Sequence, residues 1–189
     1  MGVVILAGPS GSGKSHLVRK LGWPVLRLDD FYRDVGDPGL PMSSLGIPDW
    51  DDPRSWNGAA AVAAIVELCR HGSARVPTYD IARSRAVGSH VVTTDGRPLI
   101  AEGLFAPQIV AACRNAGVLD HAICLRRNRY ITFVLRLARD LREGRKSPLT
   151  LVRRGWRLLR DEPEIIADAV AQGCVPMHPR EAYALLSSA

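Results

Sequence analysis

Short apolar runs alternate with amphipathic stretches along most of the chain. Residues 3–7 form an apolar, β-branched run of strand length, and residues 16–21 behind it place their apolar side chains on one helical face before Gly22. Further strands are predicted at 25–28, 98–101, 121–125 and 174–177. Further helices are predicted at 57–70, 107–117, 128–143, from 148 to about 160, at 163–172 and from 180 onwards. Strands that alternate with helices predict an α/β sandwich with a parallel central sheet.

Two stretches interrupt this alternation. Residues 34–56 are rich in Pro, Gly and Asp and are predicted to form a long loop, and a loop of that length in a compact domain is usually functional. Residues 75–79 and 89–94 have the pattern of short strands, and Asp95-Gly96 marks a turn after them. We therefore expect a hairpin or small excursion beside the alternating elements.

The junction between the first strand and the first helix contains the most specific motif. Residues 8–15, Gly-Pro-Ser-Gly-Ser-Gly-Lys-Ser, fit the pattern G-x-x-x-x-G-K-[ST] at every fixed position. Such glycines let backbone N–H groups converge on a polyphosphate, and the N-terminus of the following helix adds partial positive charge. Lys14 is expected to reach the β- and γ-phosphates of ATP, and the Ser15 hydroxyl to ligate Mg²⁺. The residues predicted to bind the nucleotide are Gly8, Ser10, Gly11, Ser12, Gly13, Lys14 and Ser15.

Length and composition limit the remaining possibilities. The 189 residues suit one domain with a single core, and no apolar run approaches the length of a membrane span. A signal peptide is not expected, because the first apolar run has no basic stretch before it and ends in the phosphate loop. The expected location is therefore cytoplasmic. The four cysteines are scattered without metal-ligand spacing, so we expect reduced, mostly buried thiols.

Positive charge is concentrated in one segment of the chain. The net charge is +6, and twelve basic residues fall between 126 and 160, against two acidic ones. Such a block is typical of a surface that binds nucleic acid or the phosphates of a small ligand. Within it, Arg136 and Arg139 lie three residues apart on one helical face and Arg145 follows, so these three are placed to close over phosphates.

Acidic side chains follow two of the predicted strands. Asp29 and Asp30 come after the strand at 25–28, and Glu102 comes after the strand at 98–101. Ligands of parallel sheets bind beyond the carboxyl ends of the strands, so we expect Asp29 and Glu102 at that edge with the phosphate loop. Asp29 is placed to accept a proton from an acceptor hydroxyl, and Asp30 should point elsewhere because side chains alternate along a strand. The predicted Mg²⁺ ligands, direct or through water, are Ser15, Glu102 and Asp29.

In chain order, the motifs from residue 1 to about 147 resemble the uridine kinase and phosphoribulokinase group of P-loop kinases. Residues 29–32, Asp-Asp-Phe-Tyr, resemble the family's Asp-Ser-Phe-Tyr, in which the Asp is the catalytic base. Residues 49–53, Asp-Trp-Asp-Asp-Pro, resemble its Asn-Phe-Asp-His-Pro, in which the Asp holds ribose hydroxyls. Residues 76–80, Val-Pro-Thr-Tyr-Asp, resemble its Val-Pro-x-Tyr-Asp, which lines the nucleoside pocket.

Two further motifs belong to the same resemblance, and one segment departs from it. Residues 99–103, Leu-Ile-Ala-Glu-Gly, are similar to the family's metal-site strand, and residues 136–140 with Gly144-Arg145 are similar to its lid. The family usually continues Tyr-Asp-Phe-x-Thr-His-Ser-Arg, whereas residues 79–85 are one residue shorter and lack the His that contacts the pyrimidine.

The resemblance implies a fold, an activity and a set of site residues. The fold is a P-loop NTPase three-layer sandwich with a helical lid at about 128–160, in one domain spanning 1–189. The activity is an ATP- and Mg²⁺-dependent kinase. Catalytic roles are implied for Asp29, Lys14 and Arg139, further nucleotide contacts for Arg136 and Arg145, and substrate contacts for Tyr32, Asp51, Tyr79 and Arg83.

The acceptor implied by the resemblance is the 5′-hydroxyl of a nucleoside such as uridine or cytidine. Other hydroxylated metabolites stay open, such as a sugar, a sugar phosphate or a pantothenate-like alcohol. A nucleotide-binding regulator that binds RNA through the arginine-rich segment at 126–160 also stays open, although such a protein needs no general base beside the γ-phosphate. We therefore expect a small-molecule partner rather than a membrane or nucleic acid. A homo-oligomer is compatible with the sequence.

Overall fold

The computed structural model of the chain describes residues 1–143 and 148–188, with their side chains except at 136, 139–143 and 148–158. The strands are Val3–Ala7 (β1), Val25–Arg27 (β2), Ser73–Asp80 (β3), Arg85–Thr93 (β4), Leu99–Glu102 (β5), Leu119–Leu125 (β6) and Val175–Met177 (β7). The helices are Lys14–Leu21 (α1), Gly58–His71 (α2), Val110–Asn115 (α3), Arg129–Glu143 (α4), Pro148–Ala171 (α5) and Pro179–Ser187 (α6). Short 3₁₀ turns occupy Leu28–Phe31, Pro53–Ser55 and Ala106–Ile109.

Five strands form one sheet in the order β2-β5-β1-β6-β7. β2 pairs in parallel with β5, and β6 pairs in parallel with β7. Every residue of β1 is buried, which is typical of a strand covered on both faces and explains its unbroken apolar sequence. The expected α/β fold with a mostly parallel sheet is confirmed. β3 and β4 form a separate antiparallel hairpin, as the pattern predicted, with longer strands than expected.

The chain divides into two compact units, and the first comprises Met1–Ile5 and Trp23–His121. Within it, α2 packs against β3. The helix begins after Asn57, whose side chain accepts a hydrogen bond from Ala60 N–H at 3.0 Å, and it ends at Gly72, where φ is 77°. Both ends of this helix therefore follow the sequence prediction.

The second unit comprises Leu6–Gly22 and Ala122–Ala189. Within it, α1 lies against α6, where Lys20 Nζ sits 3.7 Å from the centre of the Tyr183 ring in a cation–π contact. α6 begins with a capping box, in which Arg180 N–H donates to the His178 ring and His178 N–H donates to the Glu181 carboxylate. These contacts fix the start of the last helix close to its predicted position.

Strand β2 is shorter than the pattern predicted. It ends at Arg27, and the residues that follow form the 3₁₀ turn Leu28–Phe31. Leu28 and Phe31 are buried, so side chains that resemble the continuation of a strand anchor a turn to the core instead. The difference matters for function because this turn contains Asp29 and Asp30.

One continuous helix replaces the two helices predicted around Pro163. α5 contains this proline in its interior, whereas the sequence favoured a helix start there. Proline lacks the N–H of the helical ladder and crowds the carbonyl four residues earlier, so it usually starts or breaks a helix. Leu159 and Ala169 are buried on either side of it, and this burial stabilises the continuous helix. The break predicted at 144–147 lies outside the described residues.

Within the described residues, no helix combines the length and the apolar character that crossing a membrane requires.

All four cysteines are buried thiols, as the sequence predicted. Burial is the main cause that raises the pKa of the Cys113 thiol to about 11. These thiols therefore belong to the packed interior.

Candidate active site

The phosphate loop, residues 8–15, lies between β1 and α1. Gly8, Gly11 and Gly13 have φ values of 132°, 88° and 107°, which residues with a Cβ rarely adopt. A Cβ on Gly8 would meet the Leu125 carbonyl oxygen at 2.5 Å, so the loop also packs closely against the end of β6. Gly8 and Gly13, the fixed glycines of the motif, are therefore required by the backbone itself.

Three polar side chains of the loop differ in their surroundings. Lys14 Nζ donates hydrogen bonds to the carbonyl oxygens of Gly8 and, at 3.2 Å, of Pro9, so its amino group stays at the loop. Ser12 is fully buried, and its hydroxyl has no hydrogen-bond partner among the described residues. A buried polar atom left without a partner costs free energy that a bound ligand or water recovers. Ser15 is exposed in the first turn of α1.

The turn after β2 places two adjacent carboxylates in different surroundings. Asp29 is half-buried, and one of its oxygens accepts a hydrogen bond from Leu104 N–H at 3.2 Å. Asp30 is buried; its carboxylate accepts a hydrogen bond from Tyr79 N–H at 3.3 Å and lies 4.0 Å from the Arg27 guanidinium. A 3₁₀ turn rotates successive side chains by about 120°. The expected divergence is present, but the turn causes it and not the alternation of a strand.

Asp29 lines a cavity of about 310 Å³ in the first unit. The wall is mostly aromatic and apolar, and it consists of Asp29, Tyr32, Trp50, Tyr79, Ile81, Ser84 and Leu104. The Tyr32 ring centre lies 5.9 Å from those of both Trp50 and Tyr79. Sites for small organic ligands are typically concave and apolar with a few polar groups that orient the ligand. This cavity therefore suits an organic ligand that presents a hydroxyl group to Asp29.

The β3–β4 hairpin is tied to the chain segment that follows the Asp29 turn. The Tyr79 hydroxyl donates to the Arg33 carbonyl oxygen at 2.9 Å, and Ala86 N–H donates to the Asp34 carboxylate at 2.7 Å. These bonds hold the Tyr79 ring in the cavity wall. Because its hydroxyl already has a partner, Tyr79 contributes mainly an aromatic face.

Negative charge dominates the electrostatics of the cavity. Burial is the largest cause that raises the pKa of the Tyr32 hydroxyl, and the carboxylates of Asp29 and Asp51 raise that pKa further. None of the described residues that line the cavity is Lys, Arg or His. Tyr32 therefore stays protonated at neutral pH, and the cavity favours a ligand without negative charge.

Glu102, at the end of β5, lies in the strand next to β2, with Arg27 opposite it in the pairing register. A Cβ on Gly103 would lie 2.9 Å from Asp29 Oδ1, so the chain after Glu102 passes directly against the Asp29 turn. Carboxylate oxygens are ligands that Mg²⁺ takes in proteins, usually with several waters retained. The chemistry of Asp29 and Glu102 fits the implied metal, and the metal site itself stays a prediction.

Other residues predicted for the site lie apart from the cavity wall. Asp51 is exposed in the loop that follows Trp50. Arg83 is exposed in the hairpin turn, where it forms an ion pair with Asp80 at 3.4 Å. Arg136 and Arg139 belong to α4, but their side chains lie outside the described part of the chain, and so does the whole of Arg145.

Four cavity residues were absent from the predicted site residues, namely Trp50, Ile81, Ser84 and Leu104. Ile81 and Ser84 belong to the hairpin turn, in the segment 79–85 that departs from the family's motif, and Leu104 directly follows the motif at 99–103. Trp50 had a usable sequence signal, because it adjoins Asp51 in the motif at 49–53.

No protein-family model matches the chain, and no curated protein matches it. Solved structures do match. One from Silicibacter sp. TM1040, described as a candidate fructose transport system kinase, has 21% identity over 88% of this chain and 84% of its own, with a TM-score of 0.57. One from Bacillus stearothermophilus, described as a candidate uridine kinase, has 18% identity over 79% and 84%, with a TM-score of 0.47. Phosphoribulokinase from Rhodobacter spheroides has 14% identity over 88% and 67%, with a TM-score of 0.47.

At these identities the likeness concerns the fold and not the substrate. The Silicibacter structure matches most of this chain, and its similarity agrees with the parallel strand pairs and with a phosphate loop set between β1 and α1. The chain therefore has the fold of the P-loop kinases.

Proposed function

We propose that this protein is an ATP- and Mg²⁺-dependent kinase that transfers the γ-phosphate to a hydroxyl group of a small molecule. The observation that carries the proposal is Asp29, a carboxylate in the wall of an organic-ligand cavity, in a chain that also has a complete phosphate loop. A protein that only binds a nucleotide needs the loop but not a base in such a cavity. This combination favours catalysis over a purely regulatory role.

The phosphate loop would bind ATP, the phosphate donor. Backbone N–H groups of residues 8–15 would hold the phosphates, and the Lys14 amino group would move from the loop carbonyls to the β- and γ-phosphate oxygens. Ser15 and Glu102 would hold Mg²⁺, with Asp29 near it. The metal would neutralise negative charge on the phosphate oxygens during transfer. Arg136, Arg139 and Arg145 remain the proposed cations of the lid.

Asp29 would act on the acceptor hydroxyl as the general base. The acceptor oxygen forms a bond to the γ-phosphorus, the bond from that phosphorus to the bridging oxygen of ADP breaks, and the proton of the acceptor hydroxyl passes to the Asp29 carboxylate. The hydrogen bond from Leu104 N–H fixes one carboxylate oxygen and so orients the group. We expect positioning and charge stabilisation to contribute more than proton transfer alone, because phosphoryl transfer has a loose transition state.

The acceptor that we propose is the 5′-hydroxyl of a nucleoside such as uridine or cytidine. Three aromatic rings in the cavity wall support a flat base, and Asp51 in the adjoining loop supports contacts to ribose hydroxyls. The lack of cationic side chains among the described lining residues disfavours a sugar phosphate or a carboxylate such as pantothenate. An uncharged sugar is the second candidate, because fructose is named for the Silicibacter protein.

The test is ADP release from Mg·ATP across a panel of acceptors that includes matched pairs. Uridine and cytidine should stimulate release strongly, fructose less, and fructose 6-phosphate less than fructose; panthenol should likewise exceed pantothenate. Lys14→Ala should abolish stimulated release while leaving the unfolding curve unchanged. Stimulation by no acceptor, together with salt-dependent retention of RNA, would favour the regulator instead.

A further inference from the structure

Arg127 follows the end of β6 and lies against the phosphate loop. Its Nη2 is 3.7 Å from the position that a Cβ on Gly13 would take, and the Pro179 ring is 3.6 Å from the same position. The Nε atom of Arg127 is buried and has no hydrogen-bond partner among the described residues. Among the described residues, no carboxylate forms an ion pair with Arg127 either.

The surroundings of this guanidinium are already positive. Gly13 caps α1 without a side-chain hydrogen bond, and the first turn of α1 contains no acidic residue. The free N–H groups at a helix N-terminus amount to about half a positive charge, so a cation placed there is unfavourable. Lys14 adds a full charge to the same loop. An arginine in this position therefore interacts favourably with an anion that binds at the loop.

We infer that Arg127 is a phosphate-binding residue of the donor site, acting with Lys14 and the N-terminus of α1 on the polyphosphate of the nucleoside triphosphate. The inference rests on the proposed function. A planar guanidinium matches the spacing of phosphate oxygens and binds them through two parallel hydrogen bonds. The buried Ser12 hydroxyl also has no hydrogen-bond partner among the described residues. This independent observation also favours the binding of a polar ligand at the loop. The sequence motifs assigned the lid arginines to this role and not Arg127.

The test compares Arg127→Gln with Arg126→Gln. Arg126 is the exposed neighbour, and its backbone N–H donates a hydrogen bond to the Met177 carbonyl oxygen. Dissociation constants for Mg·ATP and for inorganic tripolyphosphate are measured by isothermal titration calorimetry, and unfolding temperatures are measured with and without tripolyphosphate.

Arg127→Gln should weaken the binding of both ligands about tenfold or more, whereas Arg126→Gln should leave it nearly unchanged. Without ligand, Arg127→Gln should unfold at the same temperature as the wild type or higher, because it removes a cation from a positive site; an arginine with a purely structural role would lower that temperature.

Equal affinity of the two variants for tripolyphosphate would overturn the inference. A loss of affinity for ATP alone would also overturn it, because Arg127 would then contact the nucleoside part. Failure of the wild-type protein to bind either ligand would contradict the proposed function as well, and that result would appear before any variant is compared.

Discussion

Asp29 and Asp30 are adjacent in sequence, yet their carboxylates have different partners. Asp29 lines the cavity and accepts a hydrogen bond from Leu104 N–H, whereas Asp30 is buried and accepts one from Tyr79 N–H. A general base must reach the proton that it removes, so only the carboxylate in the cavity suits that role. Asp30 instead links the turn to β3 and helps to position the Tyr79 ring.

We expect Asp29→Asn to lower kcat by about 10²–10⁴-fold, because a positioned base typically contributes that factor. Asp30→Ser introduces the serine of the family motif that residues 29–32 resemble, and it should reduce kcat far less. Its main effect should be to lower the free energy of unfolding by about 1 kcal/mol, the contribution of one hydrogen bond. The kcat of each variant is measured with saturating Mg·ATP. A larger loss of kcat in Asp30→Ser would reverse the two roles, and equally small losses would show that proton transfer contributes little.

Asp51 lies outside the cavity wall, but its charge acts on the Tyr32 hydroxyl. If it holds hydroxyl groups of the acceptor, Asp51→Ala should raise KM for the best acceptor about tenfold or more, with little change in kcat. Asp52→Ala is the matched control, because Asp52 pairs with Arg54 at 2.6 Å and caps the turn at 53–55. An unchanged KM in Asp51→Ala would exclude the ribose-binding role.

At the scale of the elements, two short-range features position the site. The 3₁₀ turn at Leu28–Phe31 directs Asp29 to the cavity, and the bond from Ala86 N–H to Asp34 fixes the hairpin beside it. Sequence patterns identified both neighbourhoods but not their geometry, because a buried apolar residue satisfies a strand and a turn equally well. The continuity of α5 was missed for a related reason, since local proline preference was outweighed by burial along the helix.

The continuous helix makes a prediction that differs from that of the sequence pattern. If Pro163 lies inside α5, Pro163→Ala restores a helical N–H and should raise the free energy of unfolding by about 1–2 kcal/mol, after allowance for the greater freedom of the unfolded chain. Glu164→Ala, at an exposed position of the same helix, is the control and should change stability little. Denaturant unfolding measures both. No gain, or a loss, would mean that a helix begins at Pro163 instead.

At the scale of the whole molecule, basic residues outnumber acidic ones. The net charge of +6 favours the approach of a polyanion such as ATP. The sequence predicted the parallel sheet, the phosphate loop and Asp29, because each depends on a local pattern of apolar residues and glycines. It did not predict Ser84 or Leu104, because these reach the cavity through packing between segments distant in the chain. The identity of the acceptor likewise depends on the shape and charge of the whole cavity, of which the motifs specify only Asp29, Tyr32 and Tyr79.

Mass spectrometry of the acceptor after incubation with Mg²⁺ and ATP labelled with ¹⁸O in the γ-phosphate tests the central claim most directly. We expect uridine or cytidine to gain one labelled phosphate group on its 5′-hydroxyl with the wild-type protein and none with Lys14→Ala. Label that appears only in inorganic phosphate, or that remains in ATP with every nucleoside and sugar tried, would contradict the assignment of this protein as a small-molecule kinase.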